Sequence, residues 1–162
     1  MKGSRNTSTA HLDAARFLIG HVYGEYLKAA DMEAGIFSCR DRYGKARKAR
    51  LSYRKVRDLA AGPLQAMKAA GVNCPGSFEE KTETAYTLLK QLVSKRIKFL
   101  NLFMDGELKT KFESLSRESD EISDHLLRLV EEISRDPACR SLSNRIKVKL
   151  RRKRKETKFS EE

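Results

Sequence analysis

Residues 108–133 read "LKTKFESLSRESDEISDHLLRLVEEI". Leu108, Phe112, Leu115, Ser119, Ile122, Leu126, Leu129 and Ile133 recur in alternating steps of four and three. An α-helix, turning every 3.6 residues, carries such positions on one face, whereas a strand scatters them over both. Sustained over more than three heptads, the seam predicts coiled-coil-like packing against another helix at about 20°. Its partner is either the chain's own bundle or a second chain, and the pattern admits both.

The segments upstream repeat the helical signal. Ser77 followed by Glu80 is a capping box that opens a helix running to about Met104. Ala85, Leu89, Leu92, Val93, Phe99, Leu100 and Phe103 face inward, and Tyr86, Leu88, Ile97, Leu102 and Met104 widen the apolar surface. A helix so broadly apolar is central, with neighbours on two sides. Asp105-Gly106 ends or bends it, and "GVNCPGS" (71–77) is the clearest loop before it. Residues 9–34 form a first helix with Leu12, Ala15, Ile19, Val22, Tyr26 and Ala29 on one face, Thr9 as its N-cap and Gly35 as a left-handed stop. A single helix running on through Gly35 is the alternative. The second helix covers about 39–70, starting from a cap at Ser38 with Asp41. Its thin seam is Cys39, Ala46, Ala49, Tyr53, Val56, Ala60 and Met67, with an interruption expected at Gly62-Pro63. The fold expected is therefore all-α: an antiparallel bundle of about four long amphipathic helices over 9–136. It lies between a flexible N-terminus (1–8) and a basic C-terminal tail (137–162) that is disordered or a short helix through Leu142, Ile146 and Leu150.

The charge is unevenly placed. Of the net +12, residues 38–57, "SCRDRYGKARKARLSYRKVR", carry +8, and residues 145–158, "RIKVKLRRKRKETK", carry another +8, so the rest sums to −4. Two basic blocks on a mildly acidic body imply an anionic partner more than an unusual fold. Laid on a helical wheel from position 40, the seam of helix two falls at about 160–240°. Arg47, Arg50, Arg54 and Arg57 fall at about 260–340°, with Tyr43 among them; Lys45, Lys48 and Lys55 occupy the other flank at about 60–140°. The planar guanidinium fork binds phosphate bidentately, and an aromatic in the row is available to stack on a base. The arginines have two other uses: pairing with Glu118, Asp120, Glu121, Asp124, Glu131 and Glu132 of helix four, or plain solvation.

Other chemistry finds little support. The chain has no H-E-x-x-H, G-x-S-x-G, P-loop or G-x-G-x-x-G. His21–Glu25 and Glu121–His125 are i,i+4 pairs, not the Glu-x-x-His of a di-iron bundle. Neither a metal nor a cofactor is expected. Cys39, Cys74 and Cys139 lack zinc spacing and read as reduced, passive thiols. With 40% hydrophobic residues and no run near ~20 apolar residues, neither a wholly disordered chain nor a transmembrane segment is expected. The N-terminus shows no secretory pattern, which makes an intracellular protein the expectation, nuclear in a eukaryote and otherwise cytoplasmic.

The resulting expectation is a non-enzymatic helical module that binds nucleic acid through its phosphate backbone. The basic helix supplies Arg47, Lys48, Arg50, Arg54, Lys55 and Arg57, with Tyr43 as stacking candidate. The tail supplies Arg151, Arg152, Lys153, Arg154 and Lys155, a pattern that also fits a nuclear localisation signal. The alternative is a protein–protein interaction or assembly subunit. In that reading Leu108, Phe112, Leu115, Ile122, Leu126, Leu129 and Ile133 pair with another chain, as a homo- or hetero-oligomer, and the basic blocks meet acidic protein surfaces. Peripheral attachment to an anionic membrane by charge alone is weaker, since no Trp anchors an amphipathic basic helix.

Overall fold

The computed structural model describes residues 8–72, 76–106 and 112–139. Four helices pack against one another, and no strand occurs among the described residues. Helix α1 is made of Thr9–Phe17, a π-helical segment Leu18–Val22 and Tyr23–Ala34; α2 is Arg42–Ala70, α3 Phe78–Met104 and α4 Phe112–Ser134. Short 3₁₀ turns, Ile36–Ser38 and Pro137–Cys139, follow α1 and α4.

Cross-helix pairs give the topology. Met32 meets Ser52, Glu25 meets Lys55, and Ala14 and Pro63 line one groove, so α1 and α2 run antiparallel. Lys81 pairs with Glu132 and Lys95 with Glu118, which makes α3 and α4 antiparallel. His11 meets Glu83, Tyr86 reaches Ala14 and Arg96 meets Glu33, so α1 and α3 are parallel. The up-down-up-down order follows from short connections, which leave each helix beside its sequence neighbour. Helix α3 packs against both α2 and α4, as its broad apolar surface required. Its Ala85, Tyr86, Leu89, Leu92, Val93, Phe99 and Leu100 are buried.

The α4 seam lies inside this bundle. Ser119, Leu126, Leu129 and Ile133 are buried and Ile122 packs on the core. These side chains are therefore closed to a second chain unless the bundle opens. Leu108 lies outside the described residues, as do the side chains of Phe112 and Leu115.

Several local expectations are corrected. Ser8, not Thr9, caps α1, accepting the His11 N–H. Gly35 ends α1 at φ −84°, in right-handed geometry, because the chain tightens directly into the 3₁₀ turn. Asp41 rather than Ser38 caps α2, accepting from Gly44 N at 2.9 Å, and Cys39 stands before the helix in extended backbone. Ser38 instead donates to the Gly35 carbonyl at 3.3 Å. Helix α2 runs through Pro63 without interruption. Part of proline's penalty is a clash with the preceding residue's Cβ, and Gly62 has none. At Ser77 the capping box is modified: its hydroxyl accepts from Glu80 N, while the Glu80 carboxylate takes the Gly76 N–H at 2.8 Å. Gly71 and Gly106, at φ 80° and 78°, make the turns out of α2 and α3 that an L side chain resists.

A paired polar cluster lies at the centre. Arg96 forms a two-pronged contact with Glu33, its Nε donating at 3.0 Å, and Tyr53 donates to Glu33 Oε1 at 2.5 Å. Arg96 also lies 4.7 Å from the Phe99 ring centroid. Burial alone depresses the guanidinium's pKa, but the hydrogen bonds and charge of Glu33 outweigh it and hold the group above its ordinary value. Burial, reinforced by the Glu33 charge, drives the Tyr53 hydroxyl well upward, and burial pushes Tyr26 up to about 12.

Candidate nucleic-acid interface

The basic block of 38–57 becomes the last turn before α2 and its first four turns. Helix α2 packs against both α1 and α3, and its outer side meets solvent. The wheel positions decide what each cation does. Arg50 and Arg57 lie within about 80° of the seam's centre, Arg47 and Arg54 at least about 120° away. Accordingly Arg50 and Arg57 are half-buried, and Arg47 and Arg54 are exposed. Arg50 turns towards α3, donating from Nη1 to Asn101 Oδ1 at 2.7 Å, with its Nε buried and without a partner among the described residues. It serves the α2–α3 contact and does not belong to a free surface.

The opposite flank faces α1. Lys55 pairs with Glu25 at 2.9 Å, and Lys28 approaches the same carboxylate at 3.0 Å. Hydrogen bonds from Lys55 and then Lys28 hold the Glu25 carboxyl down at about 2. Lys55 remains 62% exposed, so this tether is a solvated one. Lys48 is exposed.

The acids of α4 do not neutralise the arginine row. Among the described residues, Glu118 pairs with Lys95 and Glu132 with Lys81, both on α3. Asp120 lies near Arg96. With α3 between them, α4 and the outer face of α2 look in different directions. No ion pair among the described residues involves Arg47, Arg54 or Arg57. The outer face thus presents Arg47, Lys48 and Arg54 around Leu51, with Arg40 and Arg42 at its N-terminal end and the acid Asp58 at its far end.

Tyr43 stands at the head of this face, 55% exposed, with its ring 5.7 Å from that of Phe103. The tail residues Arg151 to Lys155 lie outside the described residues.

One constellation escaped the sequence reading. His11, fully buried at the far end of the bundle, has Nδ1 2.8 Å from Ser8 Oγ and Nε2 3.0 Å from Glu83 Oε2, with Glu79 at 3.5 Å. Sequence inspection pairs histidines with acids of the same helix, and these acids come from α3. The one available signal was the i,i+4 spacing of Glu79 and Glu83. The cluster fixes the start of α1 onto α3: Ser8 is the helix cap, and its own N–H donates to Glu79 at 3.3 Å. No group of three or more His, Cys, Asp or Glu side chains among the described residues is placed to hold a metal ion, and none of their helices is long and apolar enough to cross a membrane.

Comparison of the chain with protein-family models, with curated proteins and with solved structures finds no match in any of the three.

Proposed function

We propose that this protein is a non-enzymatic helical module that binds nucleic acid through phosphate contacts from the outer face of α2. The observation that carries the reading is the division of labour among its charges. Glu25, Glu33, Glu118 and Glu132 are taken up by Lys28, Lys55, Lys81, Lys95 and Arg96, whereas Arg47, Lys48 and Arg54 are exposed and free of ion pairs among the described residues. Leaving like charges clustered at a surface costs stability through self-repulsion, which an anionic ligand relieves. From Tyr43 to Arg54 the face extends roughly 16 Å, a length over which one strand of a duplex carries about five phosphates. The positive end of the α2 dipole lies at the head of this face, where Asp41 caps the helix.

Fluorescence anisotropy with labelled DNA and RNA oligonucleotides, titrated against salt, tests this. Affinity should fall with a steep logarithmic slope. The triple variant Arg47→Gln/Lys48→Gln/Arg54→Gln should lose roughly 2–3 units of that slope while keeping native helicity. Arg50 is left in place because it holds α2 to α3. Absence of binding at low salt, or an unchanged slope in the triple variant, refutes the proposal. So does binding to anionic vesicles with none to either nucleic acid.

A further inference from the structure

Three large apolar side chains are markedly exposed among the described residues: Phe37 at 54%, Tyr43 at 55% and Leu51 at 58%. Isolated exposed apolar residues are ordinary, but these three border the same basic face. Two of them are built into an aromatic cluster where the end of α1, the start of α2 and the end of α3 converge. Phe103, half-buried and packed on the core, is its base. Phe37 stands edge-on to it at 5.6 Å and 86°, and Tyr43 leans over it at 5.7 Å and 35°. Arg42 lies 5.6 Å from the Phe37 centroid and donates to the Phe37 carbonyl at 3.3 Å, holding the ring in place.

We infer that Phe37 and Tyr43, seated on Phe103, are a stacking platform for unpaired bases at the head of the arginine face, so that the preferred ligand is single-stranded nucleic acid. The inference rests on the phosphate-binding reading above and adds a base-dependent component to it. Rings that are half-exposed yet fixed by a neighbour packed on the core lose little freedom when a base stacks on them. A duplex hides its bases' faces within the stack, whereas a single strand offers them, and aromatic stacking is tolerant of sequence. Arg47 lies one turn beyond Tyr43 on the same side of the helix, so a strand seated on the rings runs its backbone past Arg47 towards Arg54. Arg42, against the Phe37 ring, adds a further cation beside the platform. Charge complementarity therefore favours a polyanion with exposed aromatic faces over an apolar peptide.

The test compares three fluorescent probes on the full chain at one low salt concentration. They are a single-stranded oligothymidylate, an abasic oligonucleotide of equal length and equal phosphate number, and a duplex of that length. The thymidylate should bind on the order of tenfold more tightly than the abasic strand for each base stacked. In Phe37→Ser/Tyr43→Ser that advantage should vanish, with affinity for the abasic strand and the salt slope unchanged. Both positions are exposed, and far-UV circular dichroism checks that the variant is folded. Equal, salt-dependent binding of thymidylate and abasic strand overturns the platform and leaves the phosphate reading intact. Persistence of the base preference in the double variant also overturns it, as does preference for the duplex. Failure of all three probes to bind overturns both readings, and binding of a polyglutamate peptide in their place assigns the face to an acidic protein.

Discussion

Removing the Glu33 carboxylate should damage this bundle more than any single change on its surface. Glu33 and Arg96 have side chains only 10% and 14% exposed, and the carboxylate also accepts from Tyr53. In Glu33→Leu, Arg96 keeps its charge in a site that no longer balances it, and Tyr53 loses its acceptor. Breaking a buried pair from one side costs about 3–5 kcal/mol, far above the ~1 kcal/mol typical of a point change. For a helical domain of this size that is a fall of roughly 10–20 °C in Tm, read from far-UV circular dichroism in thermal and urea melts. The diagnostic is the second arm. Glu33→Leu/Arg96→Met removes the stranded charge and leaves mainly the Tyr53 hydroxyl unsatisfied, for about 1–3 kcal/mol. The double variant should therefore be more stable than Glu33→Leu alone. A double variant as unstable as the two single losses added together refutes the assignment of Glu33–Arg96 as a coupled buried pair.

Leu126 has no exposed surface, so Leu126→Asp should abolish cooperative unfolding, measured with light scattering to follow mass. A folded monomer released from a larger assembly is the contrary result. Arg50→Gln should cost about 1–3 kcal/mol by breaking the bond to Asn101 beside a buried Nε, whereas Arg47→Gln stays within about 0.5 kcal/mol. Equal effects in urea melts contradict the split between the two arginines. The Glu25 carboxyl, held at about 2 in the fold, lies below its unfolded value near 4.3, so its contribution is present above that value. It is lost as pH falls through about 2. Acid titration of stability should show this loss in the native protein and not in Glu25→Gln. Because both lysines are mostly exposed, the difference should stay under about 1 kcal/mol.

The helices and their inward faces were legible because periodicity is a local property. Alternating fours and threes in 119–133 place Ser119, Leu126, Leu129 and Ile133 on one side whatever the partner, and the spread of apolar residues in 78–104 marks α3 as central. Helix ends were read less well. Ser8, Thr9, Ser38 and Asp41 all have capping chemistry, and the choice among them depends on how the chain enters the neighbouring turn. The π-helical segment at Leu18–Val22 left no signature at all.

Composition and spacing alone determined that the chain is helical, that its cations are concentrated in two blocks, and that the first block forms strips along one helix. Which cations remain available was decided by tertiary structure, because availability depends on what stands opposite. Placing α3 between α2 and α4 separates the arginine row from the acids of α4, turns Arg50 inward to Asn101 and gives Lys55 to Glu25. The same packing brings Phe37 and Phe103, sixty-six positions apart in the chain, to Tyr43 at the end of the basic face. Wheel angles bear on a single helix; an aromatic cluster built from three helix ends exists only after those helices have docked.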